Sequence, residues 1–581
     1  MTRLSSTGTR WVIRETDANI PLMAETLHIS LIMARVMANR GIRTKKTALS
    51  FLKTSIDHLR PFLDMKDAHT AISRVVGAIK NGEKITVYGD YDADGITSTA
   101  ILVKLLKRLG AIVSYYIPHR IKEGYGMNKT AVQKLGLDGT KLIIAVDNGI
   151  SAVDEVAFAN TLGIDTIIID HHEPGNILPQ ALAIVDPKQH DCPYPFKELC
   201  AGGLSYKFAA ALCEHLNVPF IEQEEFLVLA AVATICDIVK LNDENRILAN
   251  CGVIILNANK LINPGLGSLI TLRGYLEKSI DTFTVGFVIG PCVNAAGRLS
   301  VADTAVELLL ANAENINERM EFTNRLIELN DERKQLTADC VERLQAKLDP
   351  HKMDKILVIT DAETHESIAG IVAGRIREST GRPTIVFTKG EDAMKGSGRS
   401  SPCYNLFEAL SAHRHLFLKF GGHSMAAGLT IQNENIHILQ EALNRDCTLT
   451  DEDFLPVLEI DQELNFDEIT LKLADELTKL APFGSGNHEP LFISRGLIVE
   501  NVRIIDEKST IIFTFSNGTR RMMKGLAFGL NENYAKAIAK FDINKSGGFL
   551  MDVVYAVEVN VYNGTVSVQM RVKDFFICPQ K

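Results

Sequence analysis

The sequence predicts an α/β protein: a doubly wound parallel sheet first, then a long connecting helix, a smaller α/β domain and a C-terminal β-barrel. Three observations predict it. From about residue 84 to 185, short apolar runs alternate with helical stretches, as in a parallel sheet joined by crossover helices. Acidic residues, histidines and glycines fall just past the ends of those runs, where such sheets bind ligands. From about 455 to 578 the pattern becomes short alternating strands separated by turns such as Ser516-Asn517-Gly518 and Asn563-Gly564, and Asn-Gly is a strong hairpin signal.

In chain order, residues 1–66 read as a helical lead-in, with helices over 27–40 and 48–52, that packs on the domain after it. The stretch 66–80 is an amphipathic helix with Ala68, Ile72, Val75, Val76 and Ile79 as its apolar stripe. Strands are expected at 85–88, 112–117, 141–146, 166–169 and 183–185, and the apolar stretch 227–236 reads as a helix. Residues 312–349 form a long, strongly charged helix, expected to be a solvated connector between two halves. The second half opens with the strand KILVIT from residue 355.

Composition bounds the function. At 581 residues, 46% hydrophobic and 23% charged, the chain is an ordinary globular protein of several domains. Its net charge of −9 gives no global basic signature, which counts against a nucleic-acid binder unless a basic groove is local. The ten cysteines form no CxxC pair, as expected of reduced cytosolic thiols rather than disulfides or a zinc site. No GxxxxGK[ST] occurs, so ATP use is not expected. No signal peptide or membrane-length apolar run is evident, so a cytoplasmic location without membrane association is expected.

The chemistry concentrates after the first strand, in KITVYGDYDADGITST (84–99). Asp90, Asp92 and Asp94 alternate there, and close carboxylates raise one another's pKa unless a cation sits among them. Asp147-Asn148-Gly149 follows the strand KLIIAV, Asp170-His171-His172 follows TIII, and Asp237 follows the 227–236 helix. Singly, each reads as a turn, a loop pair or a cap. Together they read as a divalent-cation site, since carboxylates with one or two imidazoles suit Mn²⁺, and with more waters Mg²⁺. Two such ions form a clamp for phosphodiester hydrolysis. In the second half Arg375, Arg382, Lys395, Ser397 and Arg399 cluster with glycines, a set suited to a terminal phosphate.

These residues carry a resemblance. GDYDADG (89–95), DNG (147–149), DHH (170–172) and TICDIVKL around Asp237 resemble the four motifs of the DHH phosphoesterase superfamily. NAAGRLS (294–300), THESIAGIVAGRI (364–376), GSGRS (396–400), GGHSMAAG (421–428) and PFGSGN (482–487) are similar to its bacterial single-strand-specific exonuclease branch. The resemblance implies a 67–311 DHH domain, a 312–350 connector, a 351–450 DHH-associated domain and a 451–581 OB-type single-strand-binding barrel behind the 1–66 lead-in. It implies 5′→3′ degradation of single-stranded DNA to mononucleotides in recombination and repair, with two Mn²⁺ or Mg²⁺ ions, beside a helicase and a single-strand-binding protein. The barrel would feed the strand into a narrow passage between the catalytic halves.

By resemblance, Asp92, Asp94, Asp147, His171 and Asp237 are the metal ligands, with Asp147 bridging. Asp170 and His172 would orient ligands or touch substrate. Arg120, Ser397 and Arg399 would bind the 5′ phosphate, and Arg298 the backbone near the metals. Gly421 and Gly422 would touch the scissile region, where His423 would meet transition-state oxygens. Some members carry a histidine where this chain has Tyr88, so Asp90 is expected to supply the missing oxygen, directly or through water. Two rivals share the superfamily: hydrolases of short RNAs or nucleotides, which lack the C-terminal third, and inert replication scaffolds, which lack metal ligands. In the barrel, five strands are expected at 497–504, 509–515, 522–528, 550–560 and 565–573, with a helix over 533–540. Arg520, Arg521 and Lys524 add charge there, and Phe513, Phe515 and Phe528 read mostly as core.

Overall fold

A computed structural model describes residues 2–349, 352–505, 510–529, 549–562 and 564–578. Two compact units account for the chain: Met1–Lys53 with Thr450–Phe483 and Asn487–Lys581, and Thr54–Leu449 with Gly484–Gly486.

The N-terminal segment holds β1 (Thr2–Leu4) and β2 (Arg10–Ile13), then helices Ile20–Leu27, Leu31–Asn39 and Lys45–Leu52. The helix expected over 27–40 runs from Leu31 to Asn39, and another, Ile20–Leu27, precedes it. His28 closes the earlier helix in the left-handed region (φ 55°), and Ser30 caps the later one by accepting from Met33 N. Residues 54–66 pack on the domain that follows, with Phe62 and Met65 in its core, but residues 1–53 do not. Ile20, Met33, Val36 and Met37 share one core with Phe492, Phe513, Phe515 and Tyr555 of the C-terminal barrel. The helices supply an apolar face that the barrel covers, a partnership spanning most of the chain and invisible to local patterning.

The larger unit is built on β3 (Lys84–Tyr88), β4 (Ile112–Tyr116), β5 (Thr140–Val146), β6 (Asp165–Ile169) and β7 (Ala183–Val185), in the parallel order β4-β3-β5-β6-β7. The chain runs from β3 out to β4, then back across to β5, so the switch point lies at β3 and β5. Ligands bind at the carboxyl ends of strands at such a point. Ile85, Val87, Leu142, Ile144, Ile167 and Ile169 are fully buried, as parallel strands covered on both faces require.

The same unit continues through the 30-residue helix Ile316–Gln345 into a second sheet, β8 (Leu357–Thr360), β9 (Thr384–Lys389), β10 (Met394–Arg399), β11 (Phe417–His423) and β12 (Ala426–Ile431), ordered β11-β12-β10-β9-β8. The long helix is more than a solvated connector. Thr323, Leu326, Leu329, Asn330, Thr337, Cys340 and Leu344 bury one of its faces.

In the smaller unit β13 (Val457–Ile460) pairs in parallel with β2, and Trp11 Nε1 donates to Asp574 Oδ2 at 2.7 Å. The barrel comprises β15 (Phe492–Ile505), β16 (Thr510–Ser516), β17 (Met522–Phe528), β18 (Phe549–Tyr562) and β19 (Thr565–Ile577), preceded by the short β14 (Gln462–Glu463). Its order β15-β16-β17-β19-β18 closes where β18 pairs with β15, and β17 runs parallel to β19. This is the closed five-stranded OB arrangement. Phe513 and Phe515 are fully buried, whereas Phe528 is exposed. The helix expected over 533–540, and Asn563 of the expected turn, lie outside the described residues. No single helix among the described residues is long and apolar enough to cross a membrane.

The shared core makes a prediction: removing residues 1–53 leaves apolar barrel surface bare, at ~2 kcal/mol for each large side chain uncovered. The truncated chain is expected to aggregate on size-exclusion chromatography, while the cores of the larger unit stay cooperative on heating.

Candidate metal centre and phosphate site

The residues after β3 bend back on the sheet because Asp92 caps the helix Ala93–Arg108. Its Oδ1 accepts from Asp94 N at 2.9 Å and Gly95 N at 3.2 Å. Gly95 lies so close to the Asp90 backbone that a Cβ would come within 2.6 Å of Asp90 N, so only glycine permits the turn. Asp94 reaches the N-terminus of a second helix, Ala201–His215, accepting from Ala201 N at 2.8 Å and Gly202 N at 2.6 Å. A single motif thus ties two helices to one sheet.

Asp147, past β5, has a left-handed backbone (φ 62°), a strained conformation that Asp tolerates and that turns its carboxyl inward. Asn148 Nδ2 holds that turn by donating to Tyr88 O at 3.2 Å and Val146 O at 2.9 Å, and the Tyr125 hydroxyl donates to Asp147 O at 2.9 Å. Past β6, His171 Nε2 lies 3.1 Å from Asp147 Oδ1 and 3.6 Å from Asp94 Oδ2, with its Nδ1 3.8 Å from Asp237 Oδ2. Asp237 ends the helix Gln223–Cys236.

Ligand atoms gather within 4.8 Å of one another in three overlapping groups: Asp90, Asp92 and Asp147; Asp94, His171 and Asp237; and Asp147, Asp170, His171 and His172. Asp147 and His171 each belong to two of them. Burial, then the charge of Asp92, pushes Asp94 up to about 7 and Asp90 well above the carboxylate range. Burial, then Asp94, does the same to Asp147 and lifts Asp237 to about 8. Burial, then His172, lowers His171 to about 3, which keeps its imidazole neutral and able to donate an electron pair. Asp90 Oδ1 is buried without a hydrogen-bond partner. Crowded carboxylates, an orphaned buried oxygen and a neutral imidazole fit divalent cations, as hard oxygen donors with one nitrogen do. Tyr88 donates its hydroxyl to Gly126 O at 3.2 Å.

Asp170, although in the third grouping, is shifted in the opposite direction. Burial opposes its charge, yet the bond from His172 Nδ1 (2.7 Å), the charges of His172 and His171, and the amide of Ile150 hold it at about 2. Burial likewise opposes protonation of His172, but Asp170 outweighs it and lifts the imidazole to about 9. Asp170 is an anchor for His172 and for the backbone around it.

A cationic group adjoins the cluster. Arg120 lies 4.7 Å over the Tyr91 ring, and Arg298 donates to Ser367 O at 2.9 Å. Burial, then Arg120 and Arg333, lowers Arg298 to about 10, and burial followed by Arg120 lowers Arg399. Ser397 and Arg399 stand two residues apart on β10, facing the helix Ala369–Thr380. A Cβ on Gly370, in that helix's first turn, would meet Arg399 Nη2 at 2.7 Å and Ser397 Oγ at 3.0 Å. Two buried guanidiniums, Arg298 and Arg399, both lowered by burial and by the neighbouring Arg120, beside a helix N-terminus call for an anion.

Gly421 and Gly422 lie on β11, level with Gly428 and Ala427 of β12, and β12 in turn pairs with β10. His423 is exposed at the end of β11, on the row that runs through Ala426 to Arg399, and it stands outside the three metal-ligand groupings. Of the other cations, Lys395 pairs with Glu366 at 2.8 Å, Arg375 lies near Glu378, and Arg382 Nη1 donates to Asp354 O. Sequence reasoning missed Asn148, Tyr125, the amides of Ala201 and Gly202, and Gly370. Asn148 lies in DNG, also an ordinary turn, and Gly370 in THESIAGIVAGRI, but nothing in either motif pointed to these roles.

The fold and the site together define a DHH phosphoesterase, and the family comparison agrees. The DHH family N-terminal domain matches residues 84–234, the DHHA1 domain 353–448 and the RecJ OB domain 460–574. The chain is 37% identical over 572 residues to the single-stranded-DNA-specific exonuclease RecJ of Bacillus subtilis, covering 97% of this chain and 70% of that one. Against the Escherichia coli RecJ it is 31% identical over 581 residues, 96% of this chain and 97% of that one. The crystal structure of Thermus thermophilus RecJ in complex with Mn²⁺ superposes with a TM-score of 0.82 at 28% identity, covering 98% of this chain and 80% of that one. The chain belongs to the RecJ family.

Proposed function

We propose that the protein is a metal-dependent exonuclease that degrades single-stranded DNA from its 5′ end to mononucleotides. One observation carries the reading: a carboxylate–imidazole cluster at the switch point adjoins three arginines that have the chemistry of a terminal-phosphate site. Asp92, Asp94, Asp147, His171 and Asp237 would hold two Mn²⁺ or Mg²⁺ ions, with Asp147 shared between them and Asp90 adding an oxygen. When bound, the ions polarise the scissile phosphate, lower the pKa of water and offset developing charge.

The chain's own groups do the rest. Arg120, Ser397 and Arg399 hold the 5′ phosphate, and that grip selects a chain end and sets polarity. Arg298, fixed on Ser367 O, steadies the backbone between phosphate and cluster. His172, held by Asp170 as a cation, faces the phosphodiester. Gly421 and Gly422 let the strand's backbone approach, and His423, exposed at the end of β11, would contact the scissile oxygens. The working domains are 67–311, 312–350, 351–450 and 451–581, with residues 1–53 part of the barrel's unit and the barrel binding single strands. A helicase and a single-strand-binding protein deliver such strands during recombination and repair in the cytoplasm.

The test compares an oligonucleotide labelled at its 5′ end with one labelled at its 3′ end, with Mn²⁺ or Mg²⁺ and again with EDTA. Early release of the 5′ label as a mononucleotide, abolished by EDTA, is the expected result. Earlier loss of the 3′ label, or activity only on oligonucleotides of a few residues, overturns the reading.

A further inference from the structure

PFGSGN (482–487) stands among the barrel's residues in sequence, yet its middle does not belong to the barrel's unit. Of the chain after Leu449, Gly484–Gly486 alone falls within the larger unit. There the tripeptide lies against the turn that follows Asp237, and Ser485 O accepts from Leu241 N at 2.8 Å. A Cβ on Gly484 would come within 2.7 Å of Leu241 Cδ1, and one on Gly486 within 2.9 Å of Lys240 Cβ. Gly486 also has a left-handed backbone (φ 71°), so glycine is wanted there twice over. Leu241 is buried in the core of the larger unit. Asn245 Nδ2, on the helix Asp243–Ala258, donates to Lys240 O at 3.1 Å.

This turn needs holding from outside. Ile238 takes a left-handed backbone (φ 60°), which a β-branched residue keeps only where its surroundings impose it. Its side chain is 73% exposed, so its own packing does not impose it. Asp92, Asp94, Asp147 and His171 follow strands of the sheet, whereas Asp237 ends a helix immediately before the strained residue. Its Oδ2 reaches within 3.8 Å of His171 Nδ1. We propose that Gly484–Gly486 is a positioning element of the metal centre. Its backbone fixes Lys240 and Leu241, which holds the turn at Ile238 and aims the Asp237 carboxylate. The serine serves through its carbonyl, not its hydroxyl. The proposal rests on the exonuclease reading, which makes Asp237 a metal ligand.

Calorimetry of Mn²⁺ binding to the full chain reads the effect without any turnover. Gly486→Val is expected to weaken binding about tenfold, the scale of loss when a group that orients a metal ligand is removed. Gly486→Ala, gentler on folding, should move it in the same direction, and Ser485→Ala should bind as the wild type does. In an Asp237→Asn background Gly486→Val should cost nothing further, because its effect passes through that carboxylate. A merely structural lesion would add its cost again. In excess Mn²⁺ the turnover of Gly486→Val should recover, with the KM for the strand at the wild-type value throughout. Wild-type Mn²⁺ binding in both glycine variants would overturn the proposal, as would additive losses in the double variant or weakened binding in Ser485→Ala. A raised KM with unchanged metal binding would make the tripeptide a strand contact and overturn it too. Two controls stand apart. If Asp237→Asn binds Mn²⁺ as the wild type does, the ligand assignment fails and the proposal with it. If the wild type does not release the 5′ label, the exonuclease reading fails, while the calorimetry still decides whether the tripeptide positions Asp237.

Discussion

Asp147→Asn is expected to abolish nuclease activity while making the metal-free protein slightly more stable. Its carboxyl is buried at the meeting point of two ligand groupings and lies beside Asp90, Asp92, Asp94 and Asp237. In the proposed arrangement it serves both cations, so its loss removes the ion pair that neutralises the transition state. A fall of at least ~10³-fold in turnover follows if each ion supplies several kcal/mol. The stability change has the opposite sign. Burial and its neighbours hold this carboxyl well above its ordinary range, so ionising it at neutral pH opposes folding of the metal-free chain. Asparagine removes that charge, so the melting temperature should rise in EDTA and lose its response to Mn²⁺. Full activity in Asp147→Asn would refute the two-metal assignment.

The second large effect concerns the chain end. Arg399→Ala should cost ~10–100-fold in the advantage of a 5′-phosphate over a 5′-hydroxyl end, since a hydrogen bond between charged groups is worth ~1.5–3 kcal/mol. Gly370→Val should do the same without touching a charged group, because its side chain would occupy the space of Arg399 Nη2 and Ser397 Oγ. Competition between the two ends in one reaction reads this directly. If both variants keep the wild-type preference, the phosphate is held elsewhere. A loss in Arg399→Ala alone would leave that arginine in place but remove the helix N-terminus from the site.

Local sequence determined the elements that patterning can reach. The five strands from β3 to β7 appear within a residue or so of their expected bounds, because buried parallel strands are unbroken β-branched runs with polar ends. The acidic and histidine motifs were legible because each follows such a run. Their convergence was not. That Asp237, on a helix end, meets His171 past β6 depends on how helices pack across the sheet, a matter of tertiary contacts. The residues that hold the motifs were silent for the same reason: the amides of Ala201 and Gly202 matter only because Asp94 arrives there, and Gly370 only because Arg399 does. The N-terminal segment shows the limit most clearly. Its apolar faces announced burial, but an apolar face does not name its partner, and the partner proved to be the barrel at the far end of the chain.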